Sequence, residues 1–206
     1  LQTYIVEFFV VLSGLLCYRY ASIIFGEEGF AEYALLRRTI SFISPIIFLG
    51  LQVALTRYLS KACVGKSRSE VQNVFVTGLL ILLTTLILVA SLLLIFKGYA
   101  AFLFFSDIKY SFLIAPIVVF LAGSALHTIT YSYFRGVFRM SGANMLQFLN
   151  LGIGNLAGFF FFDNIVSVIY FAGIFWISTS LLTLLYVLWG FSLKKFKFKQ
   201  NFIPLF

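Results

Sequence analysis

The sequence predicts an all-α membrane protein, a polytopic bundle of six transmembrane helices, and three observations predict it. The 206 residues are 62% hydrophobic and 11% charged, with a mean hydropathy of +1.05, whereas a soluble domain is about half apolar and a quarter charged. The apolar stretches recur along the whole chain and do not gather at one end as a secretory signal would. They also have single-pass length, near the roughly 20 residues that a helix rising about 1.5 Å per residue needs to cross a bilayer. They lack the alternation of a membrane barrel, and other backbone structures would leave polar groups unpaired in lipid.

Six segments qualify: 3–25, 38–59, 72–96, 111–134, 144–162 and 165–190. The first carries Glu7 and Arg19, and a charge at bilayer depth costs about 2.5–3.5 kcal/mol on insertion scales. Twelve residues separate them, about 18 Å along a helix axis, too far for a direct pair. Each therefore needs a partner on another helix, water, or a snorkelling path to the nearer interface. The second segment holds Pro45, then Gln52 and Thr56. A proline this far inside predicts a helix kink and a free carbonyl, which cavity-lining helices of transporters tolerate.

The fourth segment carries Ser124, His127, Thr128, Tyr131 and Arg135, whose spacing lines one polar face of a helix. Two readings stand side by side: a wall of a wet cavity, or hydrogen bonding between packed helices. The fifth has a similar stripe in Asn144, Gln147, Gly154, Asn155 and Gly158. Its Gly154 and Gly158 form a small-xxx-small pair that predicts close approach by another helix. Little more than Asp163 and Asn164 precedes the sixth segment, so neighbouring helices are antiparallel hairpins. Tyr18, Tyr20, Tyr99, Tyr110, Tyr131, Tyr133, Trp189 and Phe191 lie toward segment ends, where amphipathic rings favour the membrane interface. Trp176 does not fit that pattern.

The net charge of +8 reflects loop bias and not a nucleic-acid surface, because the cations are scattered between apolar runs. Arg57, Lys61, Lys66 and Arg68, then Arg135 and Arg139, then Lys194, Lys195, Lys197 and Lys199 put ten cations on one side. The opposite loops hold Arg37, Arg38, Lys97 and Lys109 with five of the seven acids, Glu27, Glu28, Glu32, Asp107 and Asp163. The positive-inside rule then places both termini in the cytoplasm. On this layout Arg37 and Arg38 anchor the second helix among headgroups or pair with the nearby glutamates. Cys17 and Cys63 have neither paired nor metal-ligand spacing and are expected to be reduced.

Enzyme signatures are largely absent. No Cys/His metal cluster, Gly-rich phosphate loop or nucleophile elbow occurs, and the few acids sit mostly in short loops. The expectation is a non-enzymatic protein without metal or cofactor. Both ends of the chain fall in or near apolar sequence, so the expectation is one lobe, residues 1–206, of a longer polypeptide.

Specific residues then resemble a family. The run Gly26-Glu27-Glu28-Gly29-Phe30-Ala31-Glu32-Tyr33-Ala34-Leu35 is followed by Arg38, Ser41, Phe42, Pro45, Gly50-Leu51, Ala54-Leu55, Arg57-Tyr58 and Ser60. It resembles the first loop and second helix of bacterial polysaccharide flippases of the O-antigen and capsule type, within the multidrug/oligosaccharidyl-lipid/polysaccharide (MOP) exporter superfamily. Tyr131, Tyr133-Phe134-Arg135-Gly136, Arg139-Met140, Asn144, Gln147 and Asn150 are similar to that family's turn between the fourth and fifth helices. Glu27 stands where the family has proline, and Ala31 where it has a second glycine.

The resemblance implies the amino-terminal lobe of a two-lobed transporter in the bacterial cytoplasmic membrane, with a second six-helix lobe as partner. Its substrate would be an undecaprenyl-pyrophosphate-linked oligosaccharide, moved between leaflets among membrane lipids without bond chemistry. Arg19 toward the outer end, Arg57 and Arg135 toward the inner end and His127 between them are the implied substrate-binding residues. A cation-coupled multidrug antiporter of the same superfamily is an alternative, with Glu7 or His127 handling the coupling ion. So are a lipid II flippase and, from another class, a membrane-embedded enzyme of envelope polysaccharide assembly.

Overall fold

The computed structural model describes residues 1–65 and 67–192. Lys66 and the tail cations Lys194, Lys195, Lys197 and Lys199 lie outside the described residues. The order of elements is α1 (Gln2–Phe48), α2 (Leu51–Val64), α3 (Arg68–Ile95), α4 (Lys97–Phe105), a 3-10 turn (Ile108–Leu113), α5 (Ile114–Gly136), α6 (Met140–Gln147), a π segment (Phe148–Gly154), α7 (Asn155–Phe161) and α8 (Ile165–Ser192). Every element among the described residues is helical.

Among the described residues, four helices are long and apolar enough to cross a membrane: Gln2–Phe48, Arg68–Ile95, Ile108–Gly136 and Ile165–Phe191. The expected six segments are not all reached by that measure, for two local reasons. First, the 47 residues of α1 are not one rod, because Gly26 has φ 70° and ψ −167°, a conformation open essentially to glycine alone. Fifteen residues of straight helix would set Tyr18 and Tyr33 about 22 Å apart, yet their ring centroids are 5.6 Å apart. The chain therefore doubles back into two antiparallel arms, 2–25 and 27–48. Second, residues 140–161 form one helical run that the π segment interrupts between α6 and α7.

The expected 38–59 segment is divided between the second arm and α2, and the second arm reaches beyond its start. It begins at 27, because charges lower hydropathy without opposing helix formation: Glu and Arg are good helix formers, and Glu27, Glu28 and Arg38 stay exposed. It stops at Phe48, where Leu49 and Gly50 take left-handed φ of 47° and 71°. Pro45 sits one turn earlier, and its carbonyl accepts from Leu49 N–H at 3.0 Å, so the expected kink is realised as a break after the proline. A carbonyl is freed there, and Thr85 Oγ1 of α3 donates to it, on Ile47, at 2.8 Å.

α5 is the centre of the bundle, with 67% of its most apolar stretch buried against 17% to 33% for the other three long helices. Its tightest partner is α8. A Cβ on Gly123 would lie 2.7 Å from the Gly173 carbonyl oxygen, and one on Gly173 would lie 2.8 Å from Phe120 N. The two backbones thus touch, as small residues allow between membrane helices. The Gly154 and Gly158 pair behaves as its spacing predicts: hypothetical Cβ atoms there would meet the Phe175 ring at 2.6 Å and the Val168 carbonyl at 3.1 Å.

Charges separate to the two ends. Arg68 Nη2 donates to the Phe191 carbonyl at 2.8 Å, and Arg139 Nη1 to Tyr186 Oη at 3.3 Å, which gathers the ends of α5 and α8 with the start of α3. The Gly26 turn gathers with the start of α8 through Gly29 and Ile165. At that opposite end, Asp107 caps the 3-10 turn, and the Lys109 backbone N–H holds its carboxyl below the usual range.

Candidate functional site

The polar face expected on α5 exists and is turned inward: Ser124, His127, Thr128 and Tyr131 are buried, and only Arg135 is exposed. His127 is held on three sides. Its ring stacks on Tyr131 at 5.5 Å and 19°, meets Trp176 of α8 at 5.1 Å, and its Nδ1 lies 3.0 Å from Asn150 Nδ2. An amide N–H can only donate, so Nδ1 accepts and the ring proton belongs on Nε2. Asn150, fully buried in the π segment, also donates to Ser180 Oγ at 3.1 Å and accepts from Thr179 Oγ1. Of the two readings for His127, the contacts found in the lobe are those of interhelical hydrogen bonding.

Arg135 extends this seam to the cation-rich end. Its guanidinium lies 5.6 Å from the Tyr131 ring centroid, and its Nη1 donates to Tyr131 Oη at 3.4 Å. In the other direction, Trp176 packs on Phe120 at 5.0 Å, and Arg37 lies 5.5 Å over the Phe120 ring. The result is a stack Arg37, Phe120, Trp176, His127, Tyr131, Arg135, capped by a cation at each end. It explains why Trp176 stands away from the segment ends. Trp176 Nε1 is buried without a hydrogen-bond partner.

Arg37, expected among headgroups or beside glutamates, sits half-buried on the second arm with its guanidinium over the Phe120 ring. No hydropathy signal marks it, because the same charges that define it drew the predicted boundary. Tyr131 and Tyr133 likewise are buried against rings, whereas Tyr18 packs edge-on to Tyr33 and stays 41% exposed.

Glu7 is exposed but partnered, accepting from Gln147 Nε2 at 2.9 Å. Asn144 Nδ2 donates to Thr3 Oγ1 at 3.1 Å, and Ser13 Oγ donates to the Gly152 carbonyl. A polar seam thus binds the first arm to the run 140–154. Gln147 Oε1 in it is buried and unpaired. Arg19 is exposed on the first arm, and its side chain makes no hydrogen bond or ion pair among the described residues.

Arg57 stands apart from this seam. It lines a groove of about 550 Å³ with Tyr58, Ser60, Lys61, Val64 and Phe138. Phe138 holds φ at 59°, a left-handed conformation that costs a bulky residue about 1–3 kcal/mol. The candidate residues are thus not one cluster: His127 and Arg135 share a seam, while Glu7, Arg19 and Arg57 each have their own surroundings.

Among solved structures, the lobe is similar to a multidrug resistance transporter of the MATE family, MOP superfamily, in an outward-facing conformation. The TM-score is 0.79 at 16% sequence identity, over 91% of this chain and 44% of that one. The fold is like that of half a MOP-superfamily transporter. The chain thus spans less than half the length of the transporter it resembles. No protein-family model and no curated protein matches the sequence. The all-helical, multi-pass expectation and its superfamily-level resemblance agree with this likeness of fold.

Proposed function

We propose that the chain is the amino-terminal lobe of a flippase that carries an undecaprenyl-pyrophosphate-linked oligosaccharide across the bacterial cytoplasmic membrane. The observation that carries this reading is the likeness to half of a MOP-superfamily transporter. The polysaccharide-flippase motifs at residues 26–60 and 131–150 narrow it to that branch. The first arm of α1, the second arm continued by α2, then α3, α5, the run 140–161 and α8 supply six spans, with the cation-rich end in the cytoplasm. A second six-helix lobe completes the central cavity.

A pyrophosphate must shed bulk water to cross, and guanidinium groups replace that hydration with forked hydrogen bonds. Arg135, backed by Tyr131 and His127, serves the cytoplasmic end. Arg19 serves the other end: it has no partner among the described residues, which leaves its guanidinium open to the pyrophosphate. Arg19→Ala in the full-length protein is expected to abolish surface polysaccharide while membrane abundance stays normal. Normal surface polysaccharide in that variant would reject the assignment.

A second reading, a cation-coupled multidrug antiporter, is favoured by one observation: Glu7 is bonded to Gln147, whose other amide atom is buried and unpaired. Glu7→Gln would then abolish ion-driven drug efflux. Drug accumulation that is identical with and without the protein would discard this alternative.

A further inference from the structure

We propose that the groove between α2 and the α5–α6 turn is a binding site for the phosphate headgroup of an anionic phospholipid in the leaflet at the cation-rich end. Arg57 and Lys61 both line it, and at i and i+4 they share one face of α2. Like charges at that spacing repel. Among the described residues no carboxylate lines the groove, and neither side chain makes a hydrogen bond or ion pair. Two uncompensated cations thus face one concave space of about 550 Å³.

The positive-inside rule accounts for cations at this end but not for their sharing a groove. Nor does it account for the apolar groups that line the same groove, Tyr58, Val64 and Phe138, which are 59%, 63% and 50% exposed. Cations and exposed apolar groups in one groove match the boundary between a lipid's phosphate and its acyl chains. Free phosphate has no use for those apolar groups. The opposite face of α2 is anchored, since Leu55, Leu59, Ala62 and Cys63 are buried, so the cations are held outward. Basic pockets between membrane helices on the cytoplasmic side take acidic headgroups by this chemistry. The site does not depend on what the protein transports.

The test is a native mass spectrometry titration of the full-length protein in neutral detergent with phosphatidylglycerol, phosphatidylcholine, inorganic phosphate or undecaprenyl pyrophosphate. Phosphatidylglycerol is expected to bind in preference to phosphatidylcholine, and Arg57→Gln and Lys61→Gln each to weaken it by about fivefold. Lys97→Gln, at the opposite end, is expected to leave that affinity unchanged. Equal affinity in wild type and the Arg57→Gln/Lys61→Gln double variant overturns the site. Saturation by inorganic phosphate alone, or binding of the pyrophosphate carrier but not phosphatidylglycerol, overturns the choice of lipid. All three substitutions are at exposed positions, and matching thermal unfolding of the variants separates lost binding from lost folding.

Discussion

Asn150 donates to His127 and Ser180 and accepts from Thr179, so truncating it removes the partner of His127 Nδ1 and Ser180 Oγ, while Thr179 Oγ1 keeps the Phe175 and Trp176 carbonyls. Interhelical hydrogen bonds in membranes are worth about 0.6 kcal/mol on average and up to about 1.7. Asn150→Ala is expected to destabilise the protein by about 2 kcal/mol, read as a lower unfolding midpoint in detergent. An unchanged midpoint would mean that the network does not hold the seam. Trp176 presents the opposite case, because its buried N–H already lacks a partner. Trp176→Phe removes an unsatisfied donor and keeps a ring between Phe120 and His127, so it is expected to cost far less than Trp176→Ala, which empties about 3–5 kcal/mol of packing. Cys63 offers a pH-dependent probe, since burial pushes its thiol above the ordinary range. Its maleimide labelling is expected to rise only at higher pH than that of the unfolded chain, because the thiolate is the reactive form.

Helical elements here are fixed by a few backbone positions as much as by hydropathy. Gly26 lets α1 double back, and Gly26→Ala is expected to strain the turn by about 1–3 kcal/mol. Cysteines at positions 18 and 33 should crosslink readily if the two arms are antiparallel, and failure to crosslink would restore a straight helix. Gly173→Ala would drive a Cβ to within 2.8 Å of the Phe120 backbone and is expected to cost about 1–3 kcal/mol through overpacking. Gly14→Ala meets nothing within 4 Å and should be silent. Of these devices, the Gly154 and Gly158 pair was visible in the sequence as a spacing. Gly123 and Gly173 were not, because each stands without a small residue four positions away and their pairing exists only across two helices. The start of the second arm was hidden for a related reason: a hydropathy pattern places Glu27 through Arg38 in a loop, while their helix propensity and one exposed face keep them helical.

For the whole molecule, bilayer chemistry was legible from composition alone, and the sorting of charges to two ends followed from loop order. The inward polar face of α5 was legible as spacing from Ser124 to Arg135. What faced it was not, since Asn150, Trp176 and Arg37 come from three other parts of the chain and converge only through packing. Substrate identity lies further from the sequence, because on the proposed reading one lobe presents half of a cavity. The leaflet distribution of the undecaprenyl-linked oligosaccharide, in cells with and without the protein, tests the central claim most directly. The account predicts that without it the lipid-linked sugar stays in the cytoplasmic leaflet, inaccessible to an enzyme added outside. An unchanged distribution between leaflets would contradict it.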